Sequence, residues 1–292
     1  MPNMQPSSVP TFHLGLIGYP LGHSLSPKIH TAALEACGLE GNYSLFLIQP
    51  DDKQGLKDLL TRVRTGEIHG LNVTIPHKQN VIEFLDELTP TAKAIGAVNT
   101  IYSHNNKLIG DNTDAPGFLC DLRKFLAESP SPVLGEGLGV RARLVLVLGA
   151  GGSARAVVYA LVNAGWEVTV AARRIEQAQQ LASHFEEVKS VELNLQTFQR
   201  SNLQLLINTT PIGMTPHTDQ SPLPEKMTLP KDTLIYDLVY NPRETKLVRD
   251  ARSQGISATT GLGMLIEQAA LSFELWTAHN PPRNILYASV VE

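Results

Sequence analysis

An α/β fold in two domains is what this sequence predicts, and three observations predict it. Short apolar runs alternate with segments of helical periodicity through the first third of the chain. A stretch of loop composition, Ser129, Pro130, Ser131 and Pro132 through Gly135, Gly137 and Gly139, interrupts that alternation and marks a domain boundary. Beyond it the pattern restarts at Arg143 with an apolar strand, a glycine-rich turn and a helix. At 292 residues the chain has room for two domains of ordinary size.

The elements follow in order. His13 to Gly18 is an apolar strand; Ser26 and Pro27 then open a helix whose apolar positions are Ile29, Ala32, Ala33 and Ala36, stopped at Gly38. Tyr43 to Ile48 reads as a second strand, Lys53 to Arg64 as a helix stopped by Gly66, and Leu71 to Ile75 as a third strand ended by Pro76. Ala97 to Tyr102 and Lys107 to Gly110, joined through Asn105 and Asn106, read as a hairpin, because Asn tolerates the positive φ of a tight turn. This hairpin is expected at the edge of the sheet. A helix from Asp114 to Leu126 precedes the break. After it come the strand to Leu148, a helix to Ala164, a strand from Glu167 to Ala172, and further strands at Val188, Leu205 and Leu234. Leu262 to Ala278 is a long apolar helix containing Gln268, and Ile285 to Val290 reads as another.

Composition narrows the function classes. A hydrophobic fraction of 42%, a charged fraction of 18% and a net charge of -4 describe a globular protein without the basic field that nucleic acid requires. Cys37 and Cys120 are the only cysteines, without CxxC spacing, so neither a disulfide framework nor a metal site is expected. The polar start from Met1 to Pro10 lacks the n-region and h-region of a signal peptide, and no apolar run is long enough to span a bilayer. The expectation is a cytoplasmic protein with an unprocessed start and a small-molecule partner, with no nucleic acid and no membrane.

Gly149, Ala150, Gly151, Gly152 and Ser153 sit directly between a strand and a helix, with Ala154 at the third fingerprint position. That arrangement supplies a tight turn, close approach for a pyrophosphate and close helix packing, the features of a Rossmann-like dinucleotide site. Where NAD-specific folds place an acid for the ribose 2'-hydroxyl, this chain has Arg173 and Arg174 at the end of the second strand. Guanidinium groups offer charge-assisted bonds to a 2'-phosphate, so the expected cofactor is NADP. The plain alternatives are an ordinary βα turn and a solvated arginine pair.

Polar clusters follow the amino-terminal strands. Ser24 and Ser26 in GHSLSP place hydroxyls near a helix start, a site suited to a carboxylate, although Ser26 taken alone reads as an N-cap. Asn72, Thr74 and Lys78 in NVTIPHK gather an amide, a hydroxyl and an ammonium around one strand end, a set that fits the alcohols of a polyol ring; a single Lys in a loop is usually only solvated. Asn99 in GAVNT and Asp114 in GDNTD flank the hairpin, and an Asp at a helix start also reads as a cap. Lys78 and Asp114 together make an acid/base pair for the oxygen of a carbonyl being reduced.

Through GYPLGHSLSPKIH, NVTIPHK, GAVNT, GDNTD, GAGGSARA, INTTPIGM, YDLVYNP and GLGMLIEQA, in that order, the sequence resembles the shikimate dehydrogenase family along nearly its whole length. The resemblance implies NADPH-dependent, reversible reduction of 3-dehydroshikimate to shikimate in chorismate and aromatic amino acid biosynthesis. It implies a substrate-binding catalytic domain over residues 1–128, completed by 262–292, and an NADP-binding Rossmann domain over 129–261. It implies Lys78 and Asp114 as the catalytic pair, with Ser24, Ser26, Thr74, Asn99, Tyr240 and Gln268 as further substrate contacts. Thr209, Met214, Leu238 and Gly261 are implied on the nicotinamide side, and a homodimer is left open. Two positions depart from the family pattern. Ala172, Arg173, Arg174 and Gln177 stand where Asn-Arg-Thr and a further base are common, so Arg174 is expected to replace that base. Thr31 stands where Asn commonly follows GHSLSPKIH, a packing variation. Of the competing readings, the quinate/shikimate branch that uses NAD lacks its strand-end acid here, and an NADP sensor without turnover has no need of Lys78 and Asp114. A methylenetetrahydrofolate dehydrogenase shares the layout but not GHSLSP or GDNTD.

Overall fold

The computed structural model describes residues 10–129, 143–194, 203–224, 227 and 229–291. The break expected over 130–139 and the polar start before Pro10 lie outside these residues. The chain divides into two compact units: Met1–Lys93, Val98–Thr113 and Ala269–Glu292 form the first, Ala94–Ala97 and Asp114–Gln268 the second.

The first unit is built on β1 (Thr11–Gly18), α1 (Ser26–Ala36), β2 (Glu40–Leu47), α2 (Lys53–Arg64), β3 (Gly70–Val73) and the four-residue helix α3 (His77–Asn80). β4 (Glu87–Leu88), α4 (Pro90–Ile95), β5 (Thr100–His104) and β6 (Lys107–Asp111) follow. Its strands lie in the order β2-β1-β3-β5-β6-β4. β1 runs parallel to β2 and β3, β5 is antiparallel to β3 and β6, and β4 is parallel to β6. The hairpin turns through Asn105 and Asn106 with φ of 49° and 61°, as the Asn pair predicts. It is not the edge of the sheet, however: β4 covers β6, and a two-residue strand carries no alternation by which to be read.

α2 shows why these segments fold locally. Asp52 caps it by accepting from Gly55 N at 2.8 Å, and Leu56, Leu59, Leu60 and Val63 form one apolar stripe. That stripe packs on Ile17, Leu71, Val73, Ile101 and Leu108 of the sheet. Parallel pairing of β1 and β3 brings their carboxyl ends to one edge of the sheet. Antiparallel pairing brings the start of β5 and the end of β6 to that same edge.

The second unit carries α5 (Asp114–Glu128), β7 (Arg143–Leu148), α6 (Gly152–Asn163), β8 (Trp166–Ala172), α7 (Ile175–Ala182), β9 (Lys189–Glu192), β10 (Leu205–Asn208), β11 (Leu234–Asp237), α8 (Lys246–Ser253) and β12 (Ala258–Thr260). α9 (Leu262–Thr277) begins in it and ends in the first unit, which also holds α10 (Arg283–Val291). All six strands are parallel, in the order β12-β11-β10-β7-β8-β9. Both faces of β7 are buried. Val145 and Val147 join Phe118, Leu122, Val157 and Leu161 on one side, while Leu146 and Leu148 join Leu206, Ile235, Leu247 and Val248 on the other. This explains why the strand reads as an unbroken apolar run. From β7 the chain proceeds outward through β8 and β9, then returns to β10 and proceeds the other way, so the strand order reverses between β7 and β10. In open parallel sheets, ligands bind at the carboxyl ends of the strands at that reversal.

Candidate functional site

Ser24, Ser26, Thr74, Lys78 and Asn99 all lie at the edge of the first unit where β1 and β3 end and β5 begins. Tyr19 N donates to Ile75 O at 3.0 Å, joining the loop that leaves β1 to the loop that leaves β3. Ser26 is the first helical residue of α1 rather than its cap; the N-cap position is Leu25, which makes no side-chain cap. Instead Ser24 Oγ accepts from Ser26 N at 3.2 Å, which leaves the Ser24 hydroxyl proton to donate elsewhere. Lys78 sits on α3 rather than in a loop, and its carbonyl accepts from Val98 N at 2.7 Å, next to Asn99.

Asn99 is buried and held on several sides. Its Oδ1 accepts from Thr113 N at 2.7 Å and from Thr100 Oγ1 at 3.0 Å, and its Nδ2 donates to Thr113 Oγ1 at 2.9 Å. Behind it Ser272 Oγ lies 2.7 Å from Thr100 Oγ1 and 3.0 Å from Thr113 Oγ1, and accepts from Asn72 Nδ2 at 3.0 Å. Asn72 is therefore buried inside this network, with Tyr43 donating to its Oδ1 at 2.8 Å, rather than presented as a separate polar group at the strand end. Thr100, Thr113 and Ser272 escaped sequence reasoning. Ser272 had one signal, its position one helical turn beyond Gln268 on α9. Tyr43 stacks flat on His30, 4.3 Å between centroids, and full burial lowers the His30 pKa to about 3. Asn72 opposes that shift, yet neither ring nitrogen has a partner at hydrogen-bonding geometry among the described residues. Asp114, the residue after Thr113, opens α5 and is buried.

In the second unit the glycine turn stands at the strand reversal. Gly149 has φ of +107°, and a Cβ there would fall 2.6 Å from Thr209 Oγ1, so only glycine fits beside β10. Thr209 Oγ1 donates to Leu148 O at 2.6 Å and Thr209 N to the same carbonyl at 2.9 Å, fastening the two strand ends. Gly151 differs: it is exposed, and a Cβ there would meet no protein atom within 4 Å. Open space in front of a helix amino terminus is the cradle a pyrophosphate would fill, so these residues fit a dinucleotide. Ala150, Gly152 and Ser153 complete the turn into α6. At the end of the neighbouring β8, Arg173 and Arg174 are exposed and make no ion pair with a described residue. Arg174 occupies the N-cap position of α7, a helix that sequence reasoning missed and that carries Gln177 on its exposed side.

Leu238 and Gly261 lie together, the Leu238 carbonyl so close to Gly261 that any Cβ would collide with it. Met214 is exposed; the adjacent Thr215 N donates to Asn241 O at 3.0 Å, joining that loop to the one holding Tyr240. Burial raises the Tyr240 hydroxyl above its ordinary pKa. Gln268 is buried on α9, where its Nε2 donates to Leu265 O at 2.8 Å, and its backbone lies against Gly117 of α5.

A fully parallel sheet with reversed strand order, a glycine turn open at the reversal and, after the next strand, two arginines that make no ion pair among the described residues define a dinucleotide-binding α/β protein. The family models are more specific. The shikimate dehydrogenase substrate binding domain matches residues 16–101, the shikimate/quinate 5-dehydrogenase model 136–244, and the shikimate 5'-dehydrogenase C-terminal domain 261–290. The shikimate dehydrogenase (NADP(+)) of Carboxydothermus hydrogenoformans is 40% identical over 280 residues, covering 94% of this chain and 95% of its own. A shikimate dehydrogenase solved in complex with NADP+ superposes with a TM-score of 0.85 at 35% identity, covering 96% of this chain and 95% of that one. The shikimate 5-dehydrogenase of Thermus thermophilus, in complex with NADP(H) and shikimate, gives 0.80 at 37% identity, over 95% and 98%. The chain belongs to the shikimate dehydrogenase family.

Proposed function

We propose that this protein is an NADP-dependent oxidoreductase that interconverts 3-dehydroshikimate and shikimate, in the cytoplasm, on the route to chorismate and the aromatic amino acids. The observation that carries the reading is the open glycine turn at the strand reversal beside Arg173 and Arg174, which make no ion pair among the described residues, in a chain of this family. When bound, NADPH supplies the hydride. Gly149 through Ser153 hold its pyrophosphate, Arg173 and Arg174 its 2'-phosphate, and Thr209, Met214, Leu238 and Gly261 line its nicotinamide side. Residues 129–261 serve as the cofactor domain, and residues 1–128 with 262–292 as the substrate domain.

Ser24 and Ser26 take the substrate carboxylate as hydroxyl donors, and Thr74, Asn99, Tyr240 and Gln268 take its ring oxygens. Reduction of the ketone leaves negative charge on oxygen. The Lys78 ammonium stabilises that charge and delivers the proton, while Asp114 orients Lys78 and shares its proton. No helix among the described residues is long and apolar enough to cross a membrane. The test is reduction of NADP+ by shikimate in the purified protein, run beside quinate and NAD+. Turnover with shikimate and NADP+ well above the other pairs is expected; preference for quinate or for NAD+ would overturn the assignment.

A further inference from the structure

Asp237 closes β11 with its side chain wholly buried, and three donors converge on it. Oδ1 accepts from Asn208 Nδ2 at 2.8 Å and from Val239 N at 3.1 Å, and Oδ2 accepts from Thr245 Oγ1 at 2.7 Å. Those three groups, from β10, from the residues after β11 and from the start of α8, are the polar neighbours that act on it; no charged side chain among the described residues does. Burial raises its pKa to about 6 against the pull of all three donors. Burying a carboxylate without a cation is unfavourable, and a neutral side chain would fill the same space at less cost. The position calls for an acceptor able to hold three donors at once.

What those donors belong to gives the carboxylate its role. The Asn208 amide is fixed on its other side as well, since its Oδ1 accepts from Thr210 N at 3.0 Å and Thr210 Oγ1 at 2.7 Å. Thr209, between them, is thereby set against Leu148 and Gly149 at the strand reversal. On the other side the Val239 amide sets Leu238, whose carbonyl rests on Gly261. One buried carboxylate thus holds the two strand-end loops that follow β10 and β11.

We propose that Asp237 is a positioning residue for the nicotinamide end of the cofactor, holding Thr209 and Leu238 in place through Asn208 and the Val239 amide. The proposal rests on the functional reading above, which assigns those loops to the nicotinamide side. An ionised carboxylate accepts all three donors, whereas a protonated one must turn its hydroxyl proton toward the Thr245 oxygen, so that the Thr245 hydroxyl no longer donates to it. Asn at the same place keeps an oxygen for Asn208 and Val239 and turns its NH2 toward the Thr245 hydroxyl, which can accept. It does not titrate.

The experiment compares wild type, Asp237→Ala and Asp237→Asn in shikimate oxidation from pH 5 to 9. It also measures dissociation constants for NADP+ and for 2'-AMP, which probes the adenosine side alone. Asp237→Ala is expected to lower kcat by about 10 to 100-fold, the scale of a small misplacement of reacting groups, with 2'-AMP affinity changed less than about 3-fold. Wild-type kcat is expected to fall as pH drops through about 6, and Asp237→Asn, which bonds as the protonated form does, should stay flat through that range at the lower level. Unchanged kcat in Asp237→Ala, or equal losses in turnover and 2'-AMP affinity, would overturn the proposal. If Asp237→Ala does not fold, the pH profile of Asp237→Asn decides, and a profile identical to the wild type overturns it. A wild type that binds NADP+ but oxidises no shikimate sinks the functional reading instead. Asp237 is then judged by whether Asp237→Ala weakens NADP+ and spares 2'-AMP.

Discussion

Replacing Gly151 with Ala separates cofactor binding from folding, because the added methyl has room in the free protein but lies where a pyrophosphate would sit. Gly151 has φ of -83° and ψ of -172°, an extended backbone that any residue adopts, and the added methyl meets no protein atom within 4 Å. Its cost in the folded protein is confined to capping, since Gly151 is the N-cap of α6, where Ala is a poorer residue than Gly. Restricting the unfolded chain offsets that loss by about 0.4–1 kcal/mol, so the stability of the free protein should change by less than about 1 kcal/mol. The methyl instead occupies space through which a pyrophosphate must approach the backbone N–H groups at the start of α6. Losing one hydrogen bond to a charged group costs about 1.5–3 kcal/mol, or about 10 to 150-fold in affinity. The assay is calorimetric titration with NADP+ beside thermal unfolding of the free protein. NADP+ affinity equal to the wild type would refute the placement of the pyrophosphate at this turn, and a free protein destabilised by more than about 1 kcal/mol would refute the open space around the methyl. Gly149→Ala is the contrast: with φ of +107° and Thr209 Oγ1 2.6 Å from the new Cβ, it should destabilise the free protein. Backbone strain alone accounts for about 1–3 kcal/mol of that loss.

Lys78→Ala should lower kcat by about 10² to 10⁴ while NADP+ still binds, and combining it with Asp114→Ala should add little if the two act as one unit. Stopped-flow and steady-state rates of the single and double variants read this directly, and a full product of the two losses would mean independent roles. Arg173→Ala should weaken NADP+ by about 10 to 150-fold and leave NAD+ nearly unchanged in competition titrations, with no loss of stability because Arg173 has no ion pair to break among the described residues. The His30 prediction concerns pH. Its folded pKa, about 3, lies below its ordinary 6.5, so the unfolded chain binds the extra proton and stability falls as pH drops from 6.5 toward 3. The upper bound of that loss is on the order of 4–5 kcal/mol. Denaturant unfolding followed by the emission of Trp276, whose ring lies 5.4 Å from His30, should show this slope in the wild type and a flatter one in His30→Phe.

Local pattern alone determined most elements of this protein. The stripe of Leu56, Leu59, Leu60 and Val63, the Asn105–Asn106 turn and the glycine turn after β7 are each written within a dozen residues, because helix periodicity, turn chemistry and a tight βα connection are short-range constraints. The candidate residues Ser24, Thr74, Lys78, Asn99, Arg173 and Gly151 stood out for the same reason, each lying in a readable strand or in the loop that follows one. What tertiary structure decided has no local signature. β4 exists as a strand only because β6 offers it a free edge, and Lys78 rides on a helix of four residues, too short to show a period. Asn72 turned inward because Tyr43 and Ser272, the latter 200 residues away, supply its partners. Asp237 was a carboxylate closing an apolar strand, and its purpose became visible only when parallel pairing set Asn208 beside it. A polar group's role depends on which donors and acceptors surround it once water is excluded, and those neighbours are chosen by the register of strands distant in sequence.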